Sequence, residues 1–205
     1  GNTFINHSSY QGRLKENTQL GAELIGEDSI EADAEMLAMV VDGLKRAGLT
    51  EFQVNIGHVN FIRGLMVAAG FTEALAEEIF TLINNRNYFG VEEILDQEDV
   101  SEEIKEAFSA LPELMGGAEV LSEAARLAPT PEAKAAIARL LKIYQVLIHY
   151  GVEKHISFDL SMSGSYMYYT GIIFRAYTYG TGDAVVRGGR YDHLLEKFGK
   201  RTPSI

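Results

Sequence analysis

The sequence predicts an α+β fold in which an antiparallel sheet, built from both ends of the chain, is interrupted by a helical segment. Three observations carry this. Stretches with strand alternation or β-branched and aromatic enrichment lie at 2–7, 18–25, 51–58 and 155–187. Residues 72–150 are dominated by Ala, Leu and Glu with apolar residues at helical spacing. The order strands, helices, strands is that of an α+β domain rather than of alternating βαβ units.

The elements follow in order. NTFINH at 2–7 alternates, a polar loop covers Ser8 to Asn17, and TQLGAELI at 18–25 alternates again, with Gln19, Gly21 and Glu23 on one face and Leu20, Ala22 and Leu24 on the other. Ser29 is an N-cap, with Glu31 and Asp33 in the positive first turn of a helix whose stripe is Ala32, Met36, Leu37, Val40, Val41 and Leu44 and which Gly48 ends. EFQVNIGH at 51–58 is a strand, and Asn60 can cap a short helix reaching Ala69. Within 72–150, Pro112 and Gly116-Gly117 are breaks, and Thr130-Pro131-Glu132 starts a helix with proline at its first position. Strand character returns at His155–Ser161 and Tyr168–Tyr179. Gly180-Thr181-Gly182-Asp183 is a hairpin turn, 184–187 the return strand, and Gly188-Gly189-Arg190 turns into a helix from about Asp192 to Phe198. Three regions result: 1–71, an inserted helical region at 72–150, and 151–205.

Composition excludes several chemistries. The chain has 18 Lys+Arg against 29 Asp+Glu, a net charge of −11, which disfavours sequence-blind nucleic-acid binding. With no cysteine there is no disulfide, thiolate nucleophile or Cys-based zinc site. His7, His58, His149, His155 and His193 have no second ligand at metal spacing, so neither a metal nor a cofactor is expected. No run of 18 apolar residues offers a membrane span, and no basic-then-apolar leader opens the chain. These features fit a cytoplasmic protein, and the ends read as cuts inside a longer one.

Two constellations could carry function. Gln19 and Glu23 flank Gly21, and Tyr169 stands two residues before Gly171. Carboxylate and phenol across a glycine-floored cleft could hydrogen-bond an imidazole. A merely polar, covered sheet face fits the same pattern. Gly188-Gly189-Arg190-Tyr191-Asp192 could offer backbone N–H groups to an anion, although it is neither GxGxxG nor a P-loop.

Tyr168-Tyr169-Thr170-Gly171 followed by Gly188-Gly189-Arg190-Tyr191-Asp192 resembles the paired histidine-recognition segments of histidyl-tRNA synthetases, and Gln19-Leu20-Gly21-Ala22-Glu23 resembles the end of the family's class II motif 2. The resemblance implies a class II synthetase core and a histidine pocket of Gln19, Glu23, Tyr168, Tyr169, Gly189 and Tyr191. It also exposes departures. Where the family's motif 2 has an arginine that grips the substrate carboxylate and the α-phosphate, this chain has Ile5, and two positions on His7 replaces an acid. Gly164 replaces the family's second catalytic arginine. Each lost donor removes on the order of 2.7–4 kcal/mol of transition-state stabilisation.

A pocket kept without its activation chemistry resembles the regulatory subunits of ATP phosphoribosyltransferase, a paralogous family. That resemblance implies a non-catalytic role in the first step of histidine biosynthesis, with the short-form catalytic subunit, a second copy of the chain and free histidine as partners, and with neither tRNA nor membrane. A divergent histidine–tRNA ligase and a helical interaction module with a vestigial pocket are the alternatives.

Overall fold

In a computed structural model, which describes residues 1–6, 14–162, 168–200 and 202–205, the alternation of FQVNIGH places β3 (Phe52–His58) at the centre of the sheet. Phe52, Val54 and Ile56 are buried and Gln53 and Asn55 half-buried, as period-two alternation requires. Before it, β1 (Asn2–Phe4) and β2 (Glu16–Thr18) pair antiparallel with Asn2 opposite Thr18. α1 (Ile30–Arg46) then starts at Ser29, whose hydroxyl accepts from the Ala32 N–H.

The remaining helices are α2 (Val59–Ala68), α3 (Glu73–Asn84), α4 (Tyr88–Gln97), α5 (Glu102–Ser109), α6 (Val120–Leu127) and α7 (Pro131–His149). The remaining strands are β4 (Met115–Gly116), β5 (Ile156–Asp159), β6 (Ile172–Thr178) and β7 (Val186–Gly189). The sheet order is β4-β5-β3-β6-β7. β6 pairs antiparallel with β3 and β7, and β4 with β5, but β3 and β5 run parallel, with Val54 opposite Ile156. The sheet is therefore mixed rather than purely antiparallel. Between β3 and β5 the chain runs through six helices and forms the short edge strand β4 on the way, and a connection of that length lets β3 and β5 lie parallel.

One apolar core joins sheet and helices. Leu37 and Val41 of α1, Phe61 and Leu65 of α2, Ile79 and Ile83 of α3, Phe108 of α5 and Leu140 and Leu147 of α7 bury against Val54, Ile56, Phe158 and Phe174. Helices α2 and α7 approach closely because Gly64 has no side chain; a Cβ there would stand 2.7 Å from the Ala133 Cβ and 2.8 Å from the Thr130 hydroxyl. Arg86, at φ 57°, turns the chain between α3 and α4 and binds Asp159 Oδ2 (2.6 Å) and Ser161 Oγ (2.5 Å), pinning that turn to the end of β5.

Local expectations differ from the structure where tertiary bonds intervene. Residues 19–24 belong to no strand, so Gln19, Gly21 and Glu23 share no strand face; Leu24 instead exchanges backbone hydrogen bonds with Ile205, and Ile25 bridges Ser204. β6 begins at Ile172, not Tyr168, because the Thr170 N–H bonds to the Arg190 carbonyl. Gly188-Gly189 lies inside β7 rather than in a turn, and only a 3-10 turn, Leu194–Phe198, follows. Among the described residues no helix is long and apolar enough to cross a membrane.

The cap of α2 is His58 rather than Asn60: its Nδ1 accepts from the Asn60 N–H at 3.3 Å. Burial, with the charges of Arg139, Arg63 and Arg190, lowers the His58 pKa from 6.5 to about 3. Between these values the unfolded chain binds a proton that the folded chain refuses. The contribution of His58 to stability is therefore whole above about pH 6.5 and falls as pH drops towards 3, by about 1.4 kcal/mol per pH unit at most. His58→Asn keeps a capping acceptor without the titration. Urea unfolding across this window should show a slope against pH shallower by up to that amount, whereas an unchanged slope would exclude the assignment. Gly64→Val should lower stability by about 1–3 kcal/mol through overpacking against α7; an unaltered urea midpoint would contradict the close approach.

Candidate functional site

Three tyrosines meet beside the starts and ends of β6 and β7. Tyr168 stacks on Tyr191 with ring centroids 5.5 Å apart at 22°, and meets Tyr169 edge-on at 4.9 Å. The Tyr191 hydroxyl donates to Glu23 Oε2, and its backbone N–H donates to the Ser204 carbonyl at 2.8 Å. Burial, and then the bond to Glu23, raises the Tyr191 pKa, so the phenol stays a neutral donor. Burial, followed by neighbouring Tyr168, raises that of Tyr169 as well. Tyr169 packs against Val59, Met162 and Ile173, and its carbonyl accepts from Arg63 Nη2 at 2.9 Å.

Glycines allow these rings to sit where they do. A Cβ on Gly189 would lie 2.7 Å from both the Ile172 carbonyl oxygen and the Tyr169 ring, and one on Gly171 would lie 2.9 Å from Arg190 Cδ. Any side chain at either position would push the tyrosine segments apart.

Under the tyrosines lies a buried ionic cluster. Asp33 and Arg190 are 0% and 2% exposed. Asp33 Oδ1 accepts from Arg190 Nη2 (2.6 Å) and Nε (3.1 Å), and Oδ2 accepts from Arg139 Nε of α7 (2.7 Å). Arg190 Nη1 also reaches Asp192 Oδ1 and the Glu27 carbonyl, both at 3.1 Å. Burial opposes the charge of Arg190, and its bonds to Asp33 and Asp192 more than offset this, leaving its pKa above the ordinary value. Asp192 Oδ2 accepts from the Thr170 hydroxyl at 2.8 Å, which in turn accepts from the Asp192 N–H at 2.9 Å.

The structure thus brings Glu23, Tyr168, Tyr169, Gly189 and Tyr191 together. It does not bring Gln19 in through any hydrogen bond among the described residues: its side chain is exposed, and its backbone pairs with Gly1 through both its N–H and its carbonyl. Ile5 follows β1, 44% exposed, with its N–H on the Lys15 carbonyl. His7 and Gly164 lie outside the described residues. Sequence reasoning gave no role to Arg190 or Asp192 individually, and took Asp33 only as a first-turn charge. A signal for Asp33 was present, since it falls three and four residues before Met36 and Leu37, on the buried stripe of α1.

A carboxylate and aromatic ring faces are the chemical groups that can bond a small ligand bearing N–H groups or positive charge. Among the described residues no group of three or more His, Cys, Asp or Glu is placed to hold a metal.

The family model described as histidyl-tRNA synthetase matches residues 1–205. A curated relative, an ATP phosphoribosyltransferase regulatory subunit of Acetivibrio thermocellus, is 39% identical over 204 residues, covering 100% of this chain and 49% of the relative. The chain thus spans about half the length of the curated relatives it matches. A crystal structure described as an ATP phosphoribosyltransferase regulatory subunit/histidyl-tRNA synthetase from Bacillus halodurans superposes with a TM-score of 0.91 at 35% identity, covering 100% of this chain and 53% of that one. A chain of an ATP phosphoribosyl transferase complex from Thermotoga maritima shares the fold, with a TM-score of 0.70 at 18% identity over 89% of this chain and 62% of that one. The chain belongs to the histidyl-tRNA synthetase family.

Proposed function

We propose that this chain is the histidine-sensing part of a regulatory subunit of ATP phosphoribosyltransferase. On this reading it has no aminoacylation activity, acts in the cytoplasm, pairs with a second copy and with the short-form catalytic subunit, and confers histidine feedback on the first step of histidine biosynthesis. The observation that carries the reading is the joining of Glu23 to Tyr191, itself stacked on Tyr168, in a chain whose sequence has Ile5 where the resemblance expects a phosphate-gripping arginine. Glu23 offers an acceptor for an imidazole or ammonium N–H; the Tyr191 proton is already given to Glu23, so the donors offered are the hydroxyls of Tyr168 and Tyr169. Isoleucine offers nothing to the charge that develops on a phosphate during adenylate formation. The names of the full-coverage relatives support the same reading.

The charge distribution speaks against tRNA as a partner. Residues 72–129 contain fourteen Asp and Glu against three Lys and Arg, while the rest of the chain holds fifteen of each. The whole net charge of −11 therefore sits on one helical stretch, which repels a polyanion.

Adding the intact protein to the short-form catalytic subunit should raise phosphoribosyltransferase activity and make it sensitive to histidine, while histidine-dependent ATP–pyrophosphate exchange stays at background. No change in transferase activity or histidine sensitivity would overturn the regulatory reading, and robust exchange would restore the ligase.

A further inference from the structure

The two tyrosine segments of the pocket meet at Arg190, whose backbone and guanidinium bond to residues of both. Arg190 lies between Tyr191 in sequence and Gly171 in space, where the missing Cβ of the glycine leaves room for its side-chain stem. Its backbone bonds the facing segment on both sides of Gly171: the carbonyl accepts from Thr170 at 2.7 Å and the N–H donates to the Ile172 carbonyl at 2.9 Å. Its side chain bonds Asp192 at 3.1 Å, and Asp192 closes a two-bond ring with Thr170. Thr170 adjoins Tyr169, and Asp192 adjoins Tyr191. Arg190 thus adjoins Tyr191 directly and reaches Tyr169 through Thr170 alone, and the fork geometry of a guanidinium fixes direction as well as distance.

We propose that Arg190 and Asp33 are positioning residues of the ligand pocket: the pair sets the spacing between the Tyr168–Thr170 and Tyr191–Asp192 segments, and thereby the affinity for the amino-acid ligand, without touching it. The ligand half of this statement rests on the histidine reading above; the spacing half does not. Asp33 is shared, because its second oxygen is held by Arg139 of α7. The pocket floor is consequently anchored to α1 and α7 at one carboxylate.

Three variants of the intact protein test this: Arg190→Met, Arg190→Lys and Asp33→Asn, each with tyrosines labelled by 3-fluorotyrosine and the signals of Tyr168, Tyr169 and Tyr191 assigned through single phenylalanine substitutions. The fluorine spectrum of the folded protein reads ring placement without any ligand, and calorimetry with L-histidine reads affinity. In Arg190→Met and Asp33→Asn the three pocket signals should move while the other tyrosines hold, and the histidine Kd should rise about tenfold or more. Arg190→Lys keeps the cation but loses the fork, and should lie between parent and Arg190→Met on both measures; if Arg190→Met does not fold, Arg190→Lys decides. Unmoved pocket signals in a folded variant overturn the proposal, as does an unchanged histidine Kd. If the parent binds no histidine, the histidine reading fails by itself, and the fluorine shifts still decide whether Arg190 and Asp33 set the spacing.

Discussion

The fold around the pocket depends on one carboxylate that cannot stand alone. Asp33 is fully buried, and an uncompensated charge there would carry a penalty of several kcal/mol. Its two oxygens are therefore divided between Arg190, at the end of β7, and Arg139, on α7. Removing one partner of such a cluster typically costs about 3–5 kcal/mol, because the other charge is left stranded. α1, the sheet and the last helix of the crossover are consequently committed to one arrangement. The same charges reach His58, whose lowered pKa keeps it a neutral cap at the junction of β3 and α2.

Recognition and activation make different demands on a protein, and here they fall on different residues. On the regulatory reading proposed above, recognition needs an acceptor and aromatic surface held at fixed spacing, and Glu23, bonded to Tyr191, and the stacked rings of Tyr168 and Tyr191 supply groups of that kind. Activation needs cations aimed at phosphate oxygens as charge develops. The same reading has Ile5 and Gly164 at the positions where the resemblance expects those cations, and neither residue takes part in the Asp33–Arg190 cluster as described. The acidic helical stretch carries the whole net charge of the chain, a field that repels polyanions.

Elements specified by short-range signals were legible in the sequence. The Ser29, Thr72 and Thr130 caps, the alternation of β3 and the apolar stripes of α1 and α7 are local, and of these the Ser29 and Thr130 starts, the strand and both stripes were read directly. The parallel pairing of β3 with β5 was not legible, because it is decided by where a long helical crossover returns the chain. β6 is shorter than its composition predicts because Tyr168–Thr170 trade strand pairing for bonds to Arg190 and Arg63, a tertiary choice that overrides β-propensity. Of the candidate site, Gln19 and Glu23 rest on the same expected strand face and the same resemblance; that strand does not form, and Glu23 meets the tyrosines through its bond to Tyr191 while Gln19 has no such bond among the described residues. Asp33 could have been found from periodicity alone, since a carboxylate on a buried helical stripe calls for a buried cation.

Calorimetric titration of the intact protein with L-histidine, performed without and then with saturating ATP and magnesium, bears most directly on a pocket that recognises without activating. The account predicts a single histidine site whose Kd is the same in both titrations, with no pyrophosphate released. An absence of histidine heat, or a histidine-dependent release of pyrophosphate when ATP is present, would contradict it.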